Sequence, residues 1–450
     1  MHILLLIFYS LLCGYGIIKI PFIRKTGIRP VWLLLFFAAH TGAGWIHNAI
    51  AYRYFPGHGD IWDYFWKSAL YRHRLFSQFD LFLADNSTWT YVSHNGVIFI
   101  QMLLNVFSFG HMDINTLLFA FPVFLGSAAL FRVFQNRFPD DKLTGLSIFL
   151  LPSILFWTSC IYREGVLFML LGFLLYLLDK LLTRGQHDQD HHARYPHRPE
   201  YNTRSYYVRR LVYALVCFGF IAYFRMAMAL TLIPAVFTWW LMEKPAARRP
   251  LLLIAAAILG IAIIVQVTIP GLSLPRMLAH WQQEFYILKG NSRLPLLQLD
   301  GSWHSLIRTL PAAELNGLLE PLPGAGGQPI YLAFSLELLA IWLIIALSLV
   351  RRFTGPSPNR LSGPPPDRPS GPSPAPPEKV WPPASPFGVF CLVFAFLGML
   401  SIGLIVPFAG TIVRYRSIFL PFLLAPFLHS LRSQFPRLFQ IKNNYYSKEN

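Results

Sequence analysis

The residues that could do chemistry in this chain are charged groups set at the edges of apolar runs. Asp60 closes the run Phe55-Pro56-Gly57-His58-Gly59-Asp60, directly after a hydrophobic segment at about 31–52. A carboxylate in that place can take a proton as a general base. It can equally cap a helix by accepting hydrogen bonds from free backbone N–H groups. Glu164 lies in Tyr162-Arg163-Glu164-Gly165, between two apolar runs. An acid opening a helix suits the positive end of its dipole, and Arg163 can also pair with it in a simple surface bridge. Val413-Arg414-Tyr415-Arg416 offers two guanidiniums. Guanidiniums grip phosphate oxygens in bidentate fashion, although arginines beside a span also serve as headgroup anchors. Arg225 interrupts the apolar stretch 211–242. Ionisable groups at membrane depth are costly and are functional candidates by default.

Composition says what must position these groups. The chain has 450 residues, 54% of them hydrophobic and 13% charged, where a soluble domain carries roughly 25% charged residues. Several apolar runs reach the roughly 20 residues needed to cross a hydrocarbon core. An all-α, polytopic transmembrane bundle follows. The formal charge of +17 reflects Lys and Arg held on cytoplasmic loops, and no nucleic-acid partner is expected. Cys13, Cys160, Cys217 and Cys391 lie in or beside apolar segments with no Cys-x-x-Cys pair, so neither a zinc site nor a disulfide framework is indicated. The N-terminal run lacks a basic n-region and an Ala-x-Ala-like site, and reads as a retained span.

About eleven spans are expected, at 1–20, 31–52, 114–132, 143–161, 165–183, 211–224, 227–242, 251–269, 329–350, 387–406 and 414–430. Residues 96–110 read as a re-entrant or interfacial piece. The stretch 211–242 fits either a tight hairpin turning near Arg225 or one long helix, and basic residues on both flanks favour the hairpin. Basic loops then place the N-terminus outside and the C-terminus in the cytoplasm. Residues 1–350 form the membrane domain, with long external loops at 53–113 and 270–328. A Pro-rich linker at 351–386 reads as a disordered or polyproline connector. Residues 387–450 supply the last spans and a tail.

The first external loop carries an amphipathic pattern at 61–76. Ile61, Phe65, Ala69 and Phe76 share one face, and Asp63, Lys67 and Arg74 another. Such a helix lies in the membrane interface. Asp63 reads as a solvated face residue that a substrate can also reach. The second loop mixes aromatic and charged residues, including His280, Trp281, Glu284, Tyr286 and Trp303. That mixture suits sugar stacking or a folded lid. His187, His191, His192 and His197 can bind metal or form a solvated linker. No Walker loop, nucleophile elbow or dinucleotide fingerprint is present.

Together, an acid after an early span, an acid opening a later span and a basic-aromatic segment before a Pro-containing span resemble the GT-C superfamily of integral-membrane glycosyltransferases. Protein O-mannosyltransferases and the aminoarabinose transferases of lipid A are of this kind. Asp60 with its interfacial helix, Glu164 in Tyr162-Arg163-Glu164-Gly165, and Arg414-Tyr415-Arg416-Ser417-Ile418-Phe419-Leu420-Pro421 carry the likeness. The chain departs from the family in having two spans before the acidic loop, and in Asp60-Ile61-Trp62-Asp63 where an acidic pair is common. The resemblance implies a polyprenyl-phosphate sugar donor and a glycan, lipid or protein acceptor outside a bacterial inner membrane. It implies Asp60 as general base and Glu164 as an orienting acid. Arg414 and Arg416 would bind the departing phosphate, with Asp63, Arg163, Arg225 and Tyr415 as further substrate contacts. A divalent metal serves some relatives. A polysaccharide polymerase stays open as the alternative, in which arginines dominate. A transporter or flippase would need midplane charges and repeated halves.

Overall fold

A computed structural model describes residues 1–54, 60–80, 92–139, 141–182, 203–243, 273–288, 292–322, 329–354 and 384–434. The described residues are helical apart from turns, short irregular stretches such as 294–300, and one isolated antiparallel bridge, Arg293 with Phe408. The chain opens with α1 (His2–Lys19), the short α2 (Pro21–Arg24) and α3 (Pro30–Tyr54). Then come α4 (Asp60–Ser77), α5 (Val92–Ser108) and α6 (Met112–Arg137). Next are α7 (Lys142–Leu150), α8 (Pro152–Thr158), α9 (Arg163–Leu182), α10 (Thr203–Phe224) and α11 (Met226–Glu243). The second long loop supplies α12 (Leu274–Ile287) and α13 (Trp303–Leu319). The chain ends with α14 (Pro329–Thr354), α15 (Pro386–Ile405), α16 (Ala409–Arg416) and α17 (Leu420–Gln434).

Among the described residues, seven helices are long and apolar enough to cross a membrane, or eight if one bent pair is a single crossing. The chain is thus an all-α, multi-pass membrane protein with fewer qualifying helices than the eleven expected. Within the described residues, each shortfall has a local cause. The expected span at 143–161 is broken at Leu151, because Pro152 lacks an N–H and holds the preceding residue extended. The last span is likewise two pieces, Ala409–Arg416 and Leu420–Arg432, bent by 58°. Helix α3 has 25 residues, but it buries His40, Thr41, His47 and Asn48 and is less apolar for it. The expected span at 251–269 and most of the linker at 351–386 lie outside the described residues.

Contacts along α9 fix how the helices run. Its neighbour α6 lies alongside in the same sense, with Phe119 beside Gly165, Gly126 beside Gly172, and the Arg132 guanidinium donating to the Tyr176 hydroxyl at 3.1 Å. At the crossing the two glycines bring backbones together. A Cβ added to Gly172 would stand 2.1 Å from the Gly126 carbonyl oxygen. Lipid supplies no hydrophobic drive between helices, so such close packing of small residues is what joins them. Helix α10 runs the other way along α9, because its first turns carry Arg210 near Tyr176 and its C-terminal neighbour Arg225 reaches Glu164. Helix α11 then returns, so that Glu243 meets Arg137. The stretch 211–242 is therefore a hairpin turning at Arg225, in the favoured sense of the two considered.

The bundle has two distinct polar ends. One carries Glu164, Arg225 and Arg414. The other, about 22 Å away along fifteen residues of α9, carries Arg137 between Asp179 (2.6 Å) and Glu243 (2.5 Å). Asp141 lies at that far end too, accepting from Arg432 at 2.5 Å and facing His429 at 3.0 Å. Helix α5, expected as a re-entrant or interfacial piece, lies across the first end. Its Gly96 abuts Phe224, and its Asn105 accepts from Asn115 and donates to Ser68 of α4. Helices α12 and α13 cover the same end. Gln282 of α12 donates to the Leu404 and Leu297 carbonyls and accepts from Leu299 N–H. Helix α13 packs on the last turns of α15, where Gly403 touches the Ala313 carbonyl and Gly317 the Met399 carbonyl.

The Glu314 side chain on α13 has its Oε1 buried with no hydrogen-bond partner among the described residues. Burial pushes its carboxyl up to about 7. The folded state therefore binds this proton more tightly than the unfolded chain. The associated stability is full below the ordinary carboxylate pKa of about 4.3 and is lost as pH rises through about 7. Glu314→Gln should flatten the fall in melting temperature between about pH 4.5 and 7.5, and an unchanged slope would contradict the assignment. Gly172→Val should cost about 1–3 kcal/mol through overpacking at the α6–α9 crossing. Gly219→Val is the control, since nothing lies within 4 Å of its added Cβ. Thermal unfolding in detergent reads both.

Candidate functional site at one end of the bundle

The turn between α8 and α9 is the floor of the site. Tyr162 N–H donates to the Cys160 carbonyl at 2.7 Å, a tight turn that lets α9 begin at once. Glycines press neighbouring elements onto it. A Cβ on Gly44 of α3 would lie 2.8 Å from the Ser159 carbonyl oxygen, and one on Gly165 would lie 2.6 Å from that of Thr158. This packing drives Glu164 into the protein, where its side chain is 0% exposed. A lone carboxylate at such a depth would cost several kcal/mol.

Two arginines from distant segments compensate it. Arg414 Nε donates to Glu164 Oε2 at 2.8 Å, and an Arg225 terminal nitrogen donates to Oε1 at 3.1 Å. The α10–α11 hairpin reverses at the residue whose side chain makes this pair. Arg414 comes from α16, whose start is held by Leu294 N–H donating to the Pro407 carbonyl and Ala409 N–H to the Ser292 carbonyl. Its second nitrogen, Nη1, donates to Asp60 Oδ2 at 2.9 Å. Arg414 thus joins two carboxylates separated by more than a hundred residues. Both guanidiniums also lie over aromatic faces: Arg414 over Tyr162 at 3.9 Å, Arg225 over Tyr415 at 3.5 Å. Such stacking suits arginine in a partly dehydrated place.

Asp60 differs from Glu164 in access. It opens α4 and its side chain is 54% exposed, so one face of the ion-pair chain is open to an arriving molecule. Arg163 completes the group by hydrogen-bonding Tyr64 of α4. Three arginines (163, 225, 414) stand against two carboxylates (Asp60, Glu164), leaving one net positive charge for an anionic guest.

Sequence reasoning placed Asp60, Glu164, Arg163, Arg225, Arg414 and Tyr415 on one face, and the fold brings these together. Two residues stand elsewhere. Asp63 pairs with Lys67 at 2.7 Å on the exposed face of α4, as its i, i+4 spacing dictates. Arg416 is buried and turned away from Arg414, because positions two apart on a helix do not share a face. Its Nη1 donates to the Gly317 and Glu320 carbonyls at 3.2 and 2.5 Å. It caps the C-terminus of α13, where cations and donors are favoured. The arginine pair expected to share one phosphate is thus a single arginine with a structural neighbour.

His47 and Trp157 join the site only through packing. Their rings meet at 5.3 Å, and His47 meets Tyr162 edge-on at 5.3 Å. His47 Nδ1 and Trp157 Nε1 are buried without hydrogen-bond partners among the described residues. Polar residues within an expected span (His40, His47 and Asn48) were the available signal, since such residues face protein rather than lipid. A divalent metal fits poorly here. Asp60 and Glu164 are the carboxylates on hand, and a cation bridging them would occupy the place the Arg414 guanidinium already fills. The His-rich tract at 187–197 lies outside the described residues. Of the aromatic loop residues, His280 pairs with Glu284 at 3.4 Å on an exposed face, and the Tyr286 hydroxyl donates to the Leu296 carbonyl.

No family model, curated protein or solved structure matches the chain.

Removing Glu164 should expose how the array holds together. Glu164→Gln leaves two nearly buried arginines without their shared carboxylate, a loss of about 3–5 kcal/mol. Combining it with Arg225→Met should cost less than the sum, with coupling of about 0.5–3 kcal/mol in a double-mutant cycle. Strict additivity would contradict the pairing.

Proposed function

We propose that this protein is a membrane glycosyltransferase that moves a sugar from a polyprenyl-phosphate donor to an envelope glycan, lipid or protein acceptor. The observation that carries the proposal is Arg414 spanning an exposed carboxylate and a buried one at the membrane end of the bundle. An accessible base and a phosphate-binding cation then lie within one side chain's reach. That arrangement suits displacement of a phosphate from a sugar carbon.

In this reaction the acceptor hydroxyl or amine gives its proton to the Asp60 carboxylate while its lone pair forms the new bond at the anomeric carbon. The bond from that carbon to the phosphate oxygen breaks on the opposite face, so configuration inverts. The phosphate leaves with the bonding pair. Arg414 and Arg225 stabilise the charge that grows there, in fixed positions that need no reorganisation. Glu164 holds both guanidiniums in place without touching substrate. Tyr162 and Tyr415 shape the walls, and the interfacial α4 and α5 admit the lipid-linked donor from the membrane plane.

Charge supports one orientation. Arg137, Lys180 and Arg432 gather at the end opposite the site. With Arg24, Arg351 and Arg352 also at that end, the positive-inside rule supports a cytoplasmic far end, with the site and the first turn of α1 on the outer face of a bacterial inner membrane.

The alternative reading, a polymerase of lipid-linked repeat units, gains support from Arg414 rather than Asp60 being the hub. The two readings separate in one experiment with the chain in proteoliposomes, polyprenyl-phosphate sugar and labelled acceptor. Asp60→Asn should lower transfer about 10²–10⁴-fold with the melting temperature kept. Arg414→Lys should also lose transfer, because an ammonium cannot bridge two carboxylates as a guanidinium does. Undiminished transfer by Asp60→Asn would remove the base role. Loss of chain assembly in Arg414→Lys alone would favour the polymerase.

A further inference from the structure

A second cluster of chemistry-bearing side chains lies on the same end of the bundle. His2 of α1, His111 just before α6, and Asp113 in the first turn of α6 place one donor atom each within 4.8 Å of one another. His2 Nε2 stands 2.7 Å from Asp113 Oδ2, and the two imidazoles lie 4.3 Å apart between centroids, tilted by 34°. Residues more than a hundred positions apart in the chain thus converge on one point. The Asp113 backbone is itself held, its carbonyl accepting from Trp45 Nε1 at 3.0 Å.

We propose that His2, His111 and Asp113 bind a zinc-class divalent transition ion. The donor set decides the class. Two imidazoles and one carboxylate suit Zn²⁺ and its neighbours, whereas Mg²⁺ and Ca²⁺ take oxygen donors almost alone. Tetrahedral zinc with bonds of about 2.0–2.2 Å spaces its ligand atoms roughly 3.4 Å apart. The present spread of up to 4.8 Å needs shifts of about an ångström, within the reach of rotating side chains. His2 and Asp113 side chains are 40% and 34% exposed, so the ion arrives from solvent. The remaining coordination position takes water, as zinc sites with three protein ligands do.

A plain His–Asp surface pair is the competing account, worth about 0–1 kcal/mol. The position of α1 favours the metal. That helix buries Cys13 and Ile17 and turns most of its surface outward. Besides His2, it reaches this end through the Tyr9 hydroxyl, which donates to the Phe107 carbonyl. An ion at His2 would fasten α1 to α6 beside the cavity of about 360 Å³ that Trp45, Asn48, Tyr52, Trp62 and Asp113 line. This clamp does not depend on the glycosyltransferase reading, and its readout is metal rather than sugar transfer.

The test uses the full chain in detergent, purified without a His tag, stripped by chelator and titrated with Zn²⁺ and then Co²⁺. His187, His191, His192 and His197 are replaced by Asn throughout, to silence the His-rich tract. The expected result is one equivalent of Zn²⁺, a Co²⁺ visible spectrum of tetrahedral type, and a melting temperature raised by metal. His2→Ala, His111→Ala and Asp113→Asn should each weaken binding at least tenfold, with the metal-free melting temperature unchanged in His2→Ala. His280→Ala should leave binding as it was. Absence of stoichiometric binding, or binding that survives His2→Ala with His111→Ala, would overturn the proposal.

Discussion

A carboxylate that water cannot reach is the constraint on which the described end of this protein depends. Glu164 is driven inside by glycine-mediated packing of the α8–α9 turn against α3 and α6. Once there it must be compensated, and the chain does so with Arg225 and Arg414. Those two pairs tie the α10–α11 hairpin and the last helices to α9. They also leave Arg414 with a donor to spare, which reaches Asp60 and fixes the start of α4. One buried charge therefore sets the relative positions of four segments spread over most of the sequence.

Such an array is weak evidence for stability in itself, because burying paired charges costs about what the pairing returns. Its worth is in fixed geometry. A guanidinium clamped by a buried acid keeps its place when a guest arrives, and electrostatic catalysis depends on that fixity. The far end shows the same device without the opening. Arg137 is held between Asp179 and Glu243 there, and Asp141 faces His429 and Arg432. What distinguishes the candidate site is its half-exposed Asp60 and its excess arginine.

Much of this was legible in the chain because apolar runs are expensive places for charge. Asp60, Glu164, Arg225 and Arg414 stood out for that reason, and the parity of basic loops put them on one face. The amphipathic helix at 61–76 was legible from its period, and the hairpin at Arg225 from its flanking charges. Other features depend on partners that spacing does not reveal. Arg416 reads like Arg414 in sequence, but helical rotation sends it to the C-terminus of α13. Leu151-Pro152 breaks an apolar run that composition alone carries through. His2 and His111 lie in different segments, and only the packing of α1 along α6 brings them together.

The central claim is that the Arg414 and Arg225 guanidiniums receive a lipid-borne phosphate across the sugar carbon from Asp60. An experimental structure of the protein with a bound polyprenyl phosphate tests it most directly. The phosphate should lie within hydrogen-bond reach of Arg414 and Arg225, with room for the sugar carbon between it and Asp60 and the lipid leaving between the interfacial helices. A phosphate seated at the opposite end, against Arg137 or Arg432, would contradict the account.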